Sequence, residues 1–173
     1  MLQFRLSGSG GQGLILAGII LAEAAIRDGK EAVQSQSYGP EARGGSSKSE
    51  VIISKTSIHY PKVSCLDFLL AMTQEALIKY GVDLNEDSHL IIDSTFIQEV
   101  PAVCKDVIAV PITKLAKEEL GRDLFANIIA LGTVVKVSQA VTFDALEQAV
   151  LARVPKGTEE SNRKALALGY NAL

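Results

Sequence analysis

The sequence predicts an α/β fold of three layers around a mostly parallel sheet. Three observations predict it. Strand-like runs alternate with helix-like runs along the chain. Several apolar runs, such as 66–72, are nearly continuous, as in strands covered on both faces. A glycine-rich turn joins the first strand to the first helix. At 173 residues the chain is long enough for one domain, 1–173, to bury well over half of its unfolded surface.

Residues 2–6 read as a short strand. Residues 13–27 read as a helix that is apolar almost all round and so buried on more than one side, with Gly29 ending it. The runs 31–37 and 48–54 read as further strands. Around 46–61 the pattern turns polar and hairpin-like, so the sheet is expected to be mixed there. After the buried strand 66–72, Thr73 caps a helix with Gln74 and Glu75 in its first turn and Gly81 past its end. Residues 89–93 and 106–110 are strands. Residues 111–120 form a helix closed by Gly121, 124–138 a long helix containing Gly132, and 142–153 an amphipathic one. Thr158 is expected to cap a last helix to about Leu168, with Gly169 as its left-handed stop.

Composition excludes several function classes. Hydrophobic residues make up 47% and charged residues 21%, which is ordinary for a globular chain and too apolar for disorder. A net charge of −3 gives no basic footprint for nucleic acid, and 5% aromatics without Trp give few stacking platforms. Cys65 and Cys104 are too few for a disulfide scaffold or a four-thiolate cluster. His59 and His89 do not make a self-contained zinc site. The apolar stretch 13–22 is cut off by Glu23 and Arg27, short of the roughly 20 residues a membrane span needs. No secretory signal is visible, so a cytoplasmic address with reduced cysteines is expected.

Gly8-Ser9-Gly10-Gly11-Gln12-Gly13 fits G-x-G-x-x-G between a strand and a helix. Glycines there allow a tight turn and let backbone N–H groups approach a phosphate, and the helix start favours an anion. The same glycines also serve close strand–helix packing, and both readings stand at this level. Dinucleotide binding asks for more. An acidic residue is wanted at the end of the second strand to hold a ribose, but that stretch reads Val33-Gln34-Ser35-Gln36-Ser37. The turn is not succeeded by Gly-Lys-Ser/Thr either. NAD(P), FAD and ATP are therefore disfavoured.

Residues 34–49 hold almost no large apolar side chain and are expected to form a functional loop. Arg43, beside Gly44 and Gly45, suits a carboxylate or phosphate, or pairs internally with Glu41. In a doubly wound sheet the loops after the first two strands flank one crevice. Elsewhere the chemistry is sparse. His59 and His89 read as surface or satisfied residues, and both cysteines as small buried apolar ones. Asp93-Ser94-Thr95 ends a buried strand and either faces the crevice or caps the next segment.

The glycine turn, together with Ser37-Tyr38-Gly39-Pro40-Glu41-Ala42-Arg43-Gly44-Gly45 and the closing stretch from Asn162 to Tyr170, resembles the γ subunit of 2-oxoacid:ferredoxin (acceptor) oxidoreductases. The three stretches span nearly the whole chain. The resemblance implies a Rossmann-like domain within a complex that oxidatively decarboxylates a 2-oxoacid to an acyl-CoA, 2-oxoglutarate being favoured. It implies thiamine diphosphate held mainly by α and β subunits, and iron–sulfur clusters on β or a small ferredoxin-like δ subunit. Ferredoxin or a similar acceptor takes the electrons. The γ domain is implied in the handling of CoA, and this chain is expected to bind no cofactor tightly and to be inactive alone. The expected ligand-facing residues are Gly8, Ser9, Gly10, Gly11, Gln12, Gly13, Tyr38, Glu41 and Arg43; none is expected to be catalytic. The rival readings are a stand-alone nucleotide-binding enzyme and a purely structural subunit. An isolated subunit should expose an apolar interface and can pair with itself through it.

Overall fold

The structure is a computed structural model that describes residues 1–38 and 45–173, with Tyr38 by its backbone only. Its strands are β1 (Leu2–Ser9), β2 (Glu31–Tyr38), β3 (Ser46–Ser54), β4 (Phe68–Ala71), β5 (His89–Asp93) and β6 (Asp106–Val110). They form one sheet in the order β2-β3-β1-β4-β5-β6. β3 pairs antiparallel with both β1 and β2, while β1, β4, β5 and β6 pair in parallel. Five strands therefore run one way and β3 alone runs against them. The sheet is mostly parallel and mixed at the hairpin-like segment.

The helices are α1 (Leu14–Arg27), α2 (Gln74–Tyr80), α3 (Ile112–Leu120), α4 (Ala126–Ser138), α5 (Phe143–Arg153) and α6 (Glu159–Tyr170), with a 3-10 turn at Asp123–Phe125 before α4. Side chains alternate across a strand, and this alternation sorts the core into two halves. Phe4, Leu6, Val51, Phe68, Leu70 and Ile91 meet α1 and α3 to α6 on one face. Leu69, Ala71, Leu90 and Ile92 face the other side, where the seven-residue α2 and the loops around it supply Leu77, Leu84, Ile97 and Cys104. The three layers are unequal: five helices cover one face and one short helix the other.

On the thin side β1 buries a cation. The Arg5 side chain is 6% exposed, and its guanidinium meets Glu50 at 2.7 Å and Asp83 at 2.7 Å and donates to the Tyr80 carbonyl at 2.9 Å. Burying this charge is tolerable because its donors are matched. The cluster fixes the end of α2 to β1 and β3.

The helix caps explain most boundaries. Thr73 and Thr142 accept from the N–H groups of Ala76 and Ala145, both at 3.2 Å, and Gly121 closes α3 at φ 72°. Two expectations need correction. Thr158 makes no side-chain cap; its hydroxyl donates back to the Pro155 carbonyl at 2.7 Å. Gly169 does not stop α6, which continues to Tyr170 because that ring is anchored edge-on to Phe143 at 4.8 Å. The strand expected over 66–72 is trimmed to Phe68–Ala71.

Candidate functional site

β1 and β2 run in the same direction, so the glycine turn and the end of β2 lie at the same end of the sheet. β3 runs between them and places Ser46 opposite Ser9. Gly45, the residue before β3, is tied to the turn by a hydrogen bond from the Gly10 N–H to its carbonyl at 2.8 Å. The end of β2 thus stands two strand spacings, about 9.6 Å, from β1. The position that holds a ribose in a dinucleotide site is displaced by the intervening antiparallel strand.

The turn uses much of its own hydrogen-bonding capacity. Gln12 folds back so that its Oε1 accepts from the Ser9 N–H at 2.8 Å, and its own N–H donates to the Ser9 carbonyl at 3.3 Å. Gly8 leaves room for this: a Cβ there would sit 2.3 Å from Gln12 Oε1 and 2.6 Å from Leu14 Cδ1. With the Ser9, Gly10 and Gln12 N–H groups engaged, those of Gly11 and Gly13 lack partners among the described residues. Gly13 is the N-cap of α1 in the left-handed region, at φ 76°, and offers no side chain to the helix start.

Gly11, Gln12 and Gly13 form one wall of a cleft of about 280 Å³. Phe96, Thr113, Asp123, Leu124, Ala126 and Asn127 complete it. The start of α4 therefore meets the start of α1 across the cleft, and neither helix has a side-chain cap. The positive ends of two helix dipoles stand at its walls; at α1 the first-turn N–H groups lack helical partners, whereas the first N–H of α4, on Ala126, already donates to the Asp123 carbonyl. Asn127 is buried, and its Nδ2 donates to the Gly13 carbonyl at 3.4 Å. Asp123 is the one ionisable side chain lining the cleft among the described residues. The cleft can hold an anion by backbone N–H groups, and among the described residues no acid–base pair lines it.

Asp93 settles as a cap. It is fully buried; its Oδ2 accepts from the Thr113 N–H at 3.1 Å and the Thr113 hydroxyl at 2.5 Å, and its Oδ1 accepts from the Thr95 N–H at 3.0 Å. The residue before α3 is Pro111, which has no side-chain acceptor, and Asp93 supplies one from the neighbouring strand. His89 lies at the opposite end of β5, stacked on Phe68 at 4.8 Å and paired with Asp106. His59 is exposed. Cys104 is buried and donates to the Ser88 carbonyl at 3.0 Å, and burial pushes its thiol pKa up. Cys65 is exposed, contrary to the expectation of a buried apolar role.

Of the expected ligand-facing residues, Gly8, Ser9, Gly10, Gly11, Gln12 and Gly13 come together in the turn. Glu41 and Arg43 lie outside the described residues, as does the side chain of Tyr38. Phe96, Thr113, Leu124 and Asn127 are additions. Asn127 carried a readable signal, being the one polar residue at the head of an apolar helix.

Residues 3–172 match the pyruvate ferredoxin/flavodoxin oxidoreductase family. The chain belongs to this family. A 2-oxoglutarate synthase subunit, KorC, of Methanocaldococcus jannaschii is 46% identical over 171 residues, which is 97% of this chain and 91% of that protein. The crystal structure of a keto/oxoacid ferredoxin oxidoreductase γ subunit from Geobacter sulfurreducens is 50% identical, with a TM-score of 0.89 over 99% of this chain and 98% of that one. The fold recurs in a 2-oxoglutarate:ferredoxin oxidoreductase from Magnetococcus marinus, solved with 2-oxoglutarate, coenzyme A and succinyl-CoA bound. That likeness has a TM-score of 0.86 at 22% identity and covers 98% of this chain but 30% of the other.

Iron–sulfur clusters, which the oxidoreductase family implies, do not fit the residues here. A cluster asks for four thiolates, and this chain has one exposed and one buried cysteine. Among the described residues no group of three His, Cys, Asp or Glu side chains is arranged to hold a metal. No helix among them is long and apolar enough to cross a membrane.

Proposed function

We propose that this chain, acting as one domain over 1–173, is the γ subunit of a hetero-oligomeric 2-oxoacid:ferredoxin (acceptor) oxidoreductase in the cytoplasm. Its complex oxidatively decarboxylates a 2-oxoacid, with 2-oxoglutarate favoured, to an acyl-CoA. The observation that carries the reading is the 46% identity to a 2-oxoglutarate synthase subunit along nearly the full length of both chains. The cleft agrees with it, since the Gly11–Gly13 backbone at the start of α1 forms one of its walls and suits an anion. In this reading α and β subunits, with a ferredoxin-like δ subunit where there is one, provide thiamine diphosphate for decarboxylation and iron–sulfur clusters for electron transfer to ferredoxin.

This chain's own contribution is to bind and orient. The N–H groups of Gly11 and Gly13 and the first turn of α1 suit a phosphate of CoA, whose charge the helix dipole favours. Asn127, held on the Gly13 carbonyl, fixes the spacing of the two helix starts. Tyr38, Glu41 and Arg43 are proposed to face the pantetheine–phosphate arm or the adjoining subunit. The test is to co-express the chain with its α and β subunits and assay viologen reduction with a panel of 2-oxoacids. The complex should turn over 2-oxoglutarate with CoA, and the chain alone should turn over none. Turnover by the isolated chain, or micromolar NAD binding to it, would overturn the reading.

A further inference from the structure

The thin side of the sheet turns polar over β1, β3 and β2. The register sets Arg5 beside Glu50 and Glu50 beside Ser35, with Lys48 beside Ser37 two residues along. Side chains alternate across a strand, so these residues share one face. Residues 61–63 fold over that face and close it into a cavity of about 590 Å³, against about 280 Å³ for the glycine-turn cleft. The wall is anchored. Val63 packs on the smaller core cluster, and just after it the Ser64 and Cys65 N–H groups donate to the side-chain oxygen of the buried Gln3 at 2.7 and 3.3 Å. The floor is fixed as well: one Glu50 carboxylate oxygen accepts from Arg5 Nε at 2.8 Å and from Lys48 Nζ at 2.9 Å. A cavity between a pinned wall and an ion-paired floor is preorganised for a ligand.

Its charge selects the ligand. Arg5, Lys48 and Lys62 line it, and Glu50 is the one carboxylate among the described lining residues. Arg5 spends its guanidinium on Glu50, Asp83 and the Tyr80 carbonyl, so it holds the floor rather than reaching a ligand. Lys48 places one of its three donors on Glu50 and keeps the others. Lys62 is exposed and makes no ion pair or hydrogen bond among the described residues. Two ammonium groups at one cavity, one on its floor and one on its wall, repel each other unless an anion lies between them. Low-dielectric walls focus that positive field. We propose that this cavity binds a small organic anion, its carboxylate or phosphate held between Lys48 and Lys62. Val33, Pro61 and Val63 offer the rest of the molecule an apolar flank. No lining residue is shared with the glycine-turn cleft, so the site is separate from it and independent of the γ-subunit reading.

The test follows the amide shifts of the full ¹⁵N-labelled chain during titration with phenyl phosphate and with benzoate, two probes that differ in their oxyanion. Saturable shifts are expected at Ser35, Lys48 and Lys62, and the tighter probe shows whether phosphate or carboxylate is the natural group. Lys62→Gln should weaken that binding about tenfold, and Lys62→Arg, which keeps the charge, far less. Lys55→Gln, at an exposed lysine outside the cavity, should bind like wild type. All three variants should melt like wild type, since each replaces an exposed side chain. Non-saturable shifts spread over the exposed lysines, or saturable shifts confined to Gly11 and Gly13, would overturn the proposal. So would a Lys62→Gln chain that binds both probes as wild type does. If wild type binds neither probe, and Lys62→Gln instead lowers retention by co-expressed α and β subunits, the cavity receives an acidic segment of a partner and the proposal fails.

Discussion

Gly169 of α6 lies against the backbone of Ile129 in α4, so close that a Cβ at Gly169 would stand 1.8 Å from the Ile129 carbonyl oxygen. The contact is reciprocal, because a Cβ on Gly132 would stand 2.3 Å from the Leu166 carbonyl oxygen. The Thr133 hydroxyl fastens the crossing by donating to the Gly169 carbonyl at 3.1 Å. The depth of α4 is set here, and with it the position of Asn127 at the other end of the helix. Gly169→Ala forces the helices apart and should cost about 3 kcal/mol, the upper end for an overpacked core. Urea unfolding measures it; a loss below about 1 kcal/mol would show that the helices can separate freely.

The glycine turn separates backbone strain from ligand binding. Gly11 and Gly29 both have positive φ, at 94° and 72°, and open space where a Cβ would go. Alanine at either should cost about 1–2 kcal/mol through the left-handed conformation alone. Gly13→Ala adds a clash, its Cβ falling 2.5 Å from Asn127 Nδ2, and should be the most destabilising of the three. In the assembled complex Gly11→Ala and Gly13→Ala should raise the CoA concentration needed for half-maximal rate, whereas Gly29→Ala should not. A uniform response of all three would reduce the turn to packing.

Asp93 carries the start of α3. Asp93→Ala would leave the N–H groups of Thr95 and Thr113 and the Thr113 hydroxyl without their acceptor in a buried place. The expected loss is about 3 kcal/mol, combining a cap with unsatisfied buried donors. Asp93→Asn keeps one acceptor oxygen and should lose less. Chemical denaturation of the two variants checks the order.

One pH effect has a definite sign. Arg153 of α5 reaches Glu23 of α1, its Nε lying 3.1 Å from both carboxylate oxygens. That hydrogen bond, aided by the charges of Arg153 and Arg27, lowers the Glu23 pKa from its ordinary 4.5 despite opposing desolvation. A carboxyl group whose pKa is lower folded than unfolded stabilises above the unfolded value, and the effect is lost as pH falls through the folded one. Stability measured from pH 7 down to pH 3 should therefore fall less steeply in Glu23→Gln than in wild type. Parallel curves would show that the pair makes no net contribution.

Much of the fold is readable from the chain. The turn from Gly8 to Gly13, the strands His89–Asp93 and Asp106–Val110, and the threonine cap at Thr73 each arise from local chemistry, and local chemistry is what a sequence displays. The cleft is less readable because Gly13 and Asn127 meet across 114 positions, and only the sheet order brings them together. The reversal of β3, which moves the end of β2 away from the turn, is likewise a matter of strand pairing rather than of residue type. Gly169 misleads for a related reason. A glycine near a helix end reads as a stop, and only the partner helix shows that it is there for close approach.

The most direct test of CoA handling by this subunit is the CoA dependence of 2-oxoglutarate-driven viologen reduction by the α and β subunits, measured with and without this chain. Saturable, CoA-dependent turnover is expected when the chain is present, and loss of the CoA response when it is left out. Turnover with the same CoA dependence in its absence would contradict the claim that this subunit handles CoA.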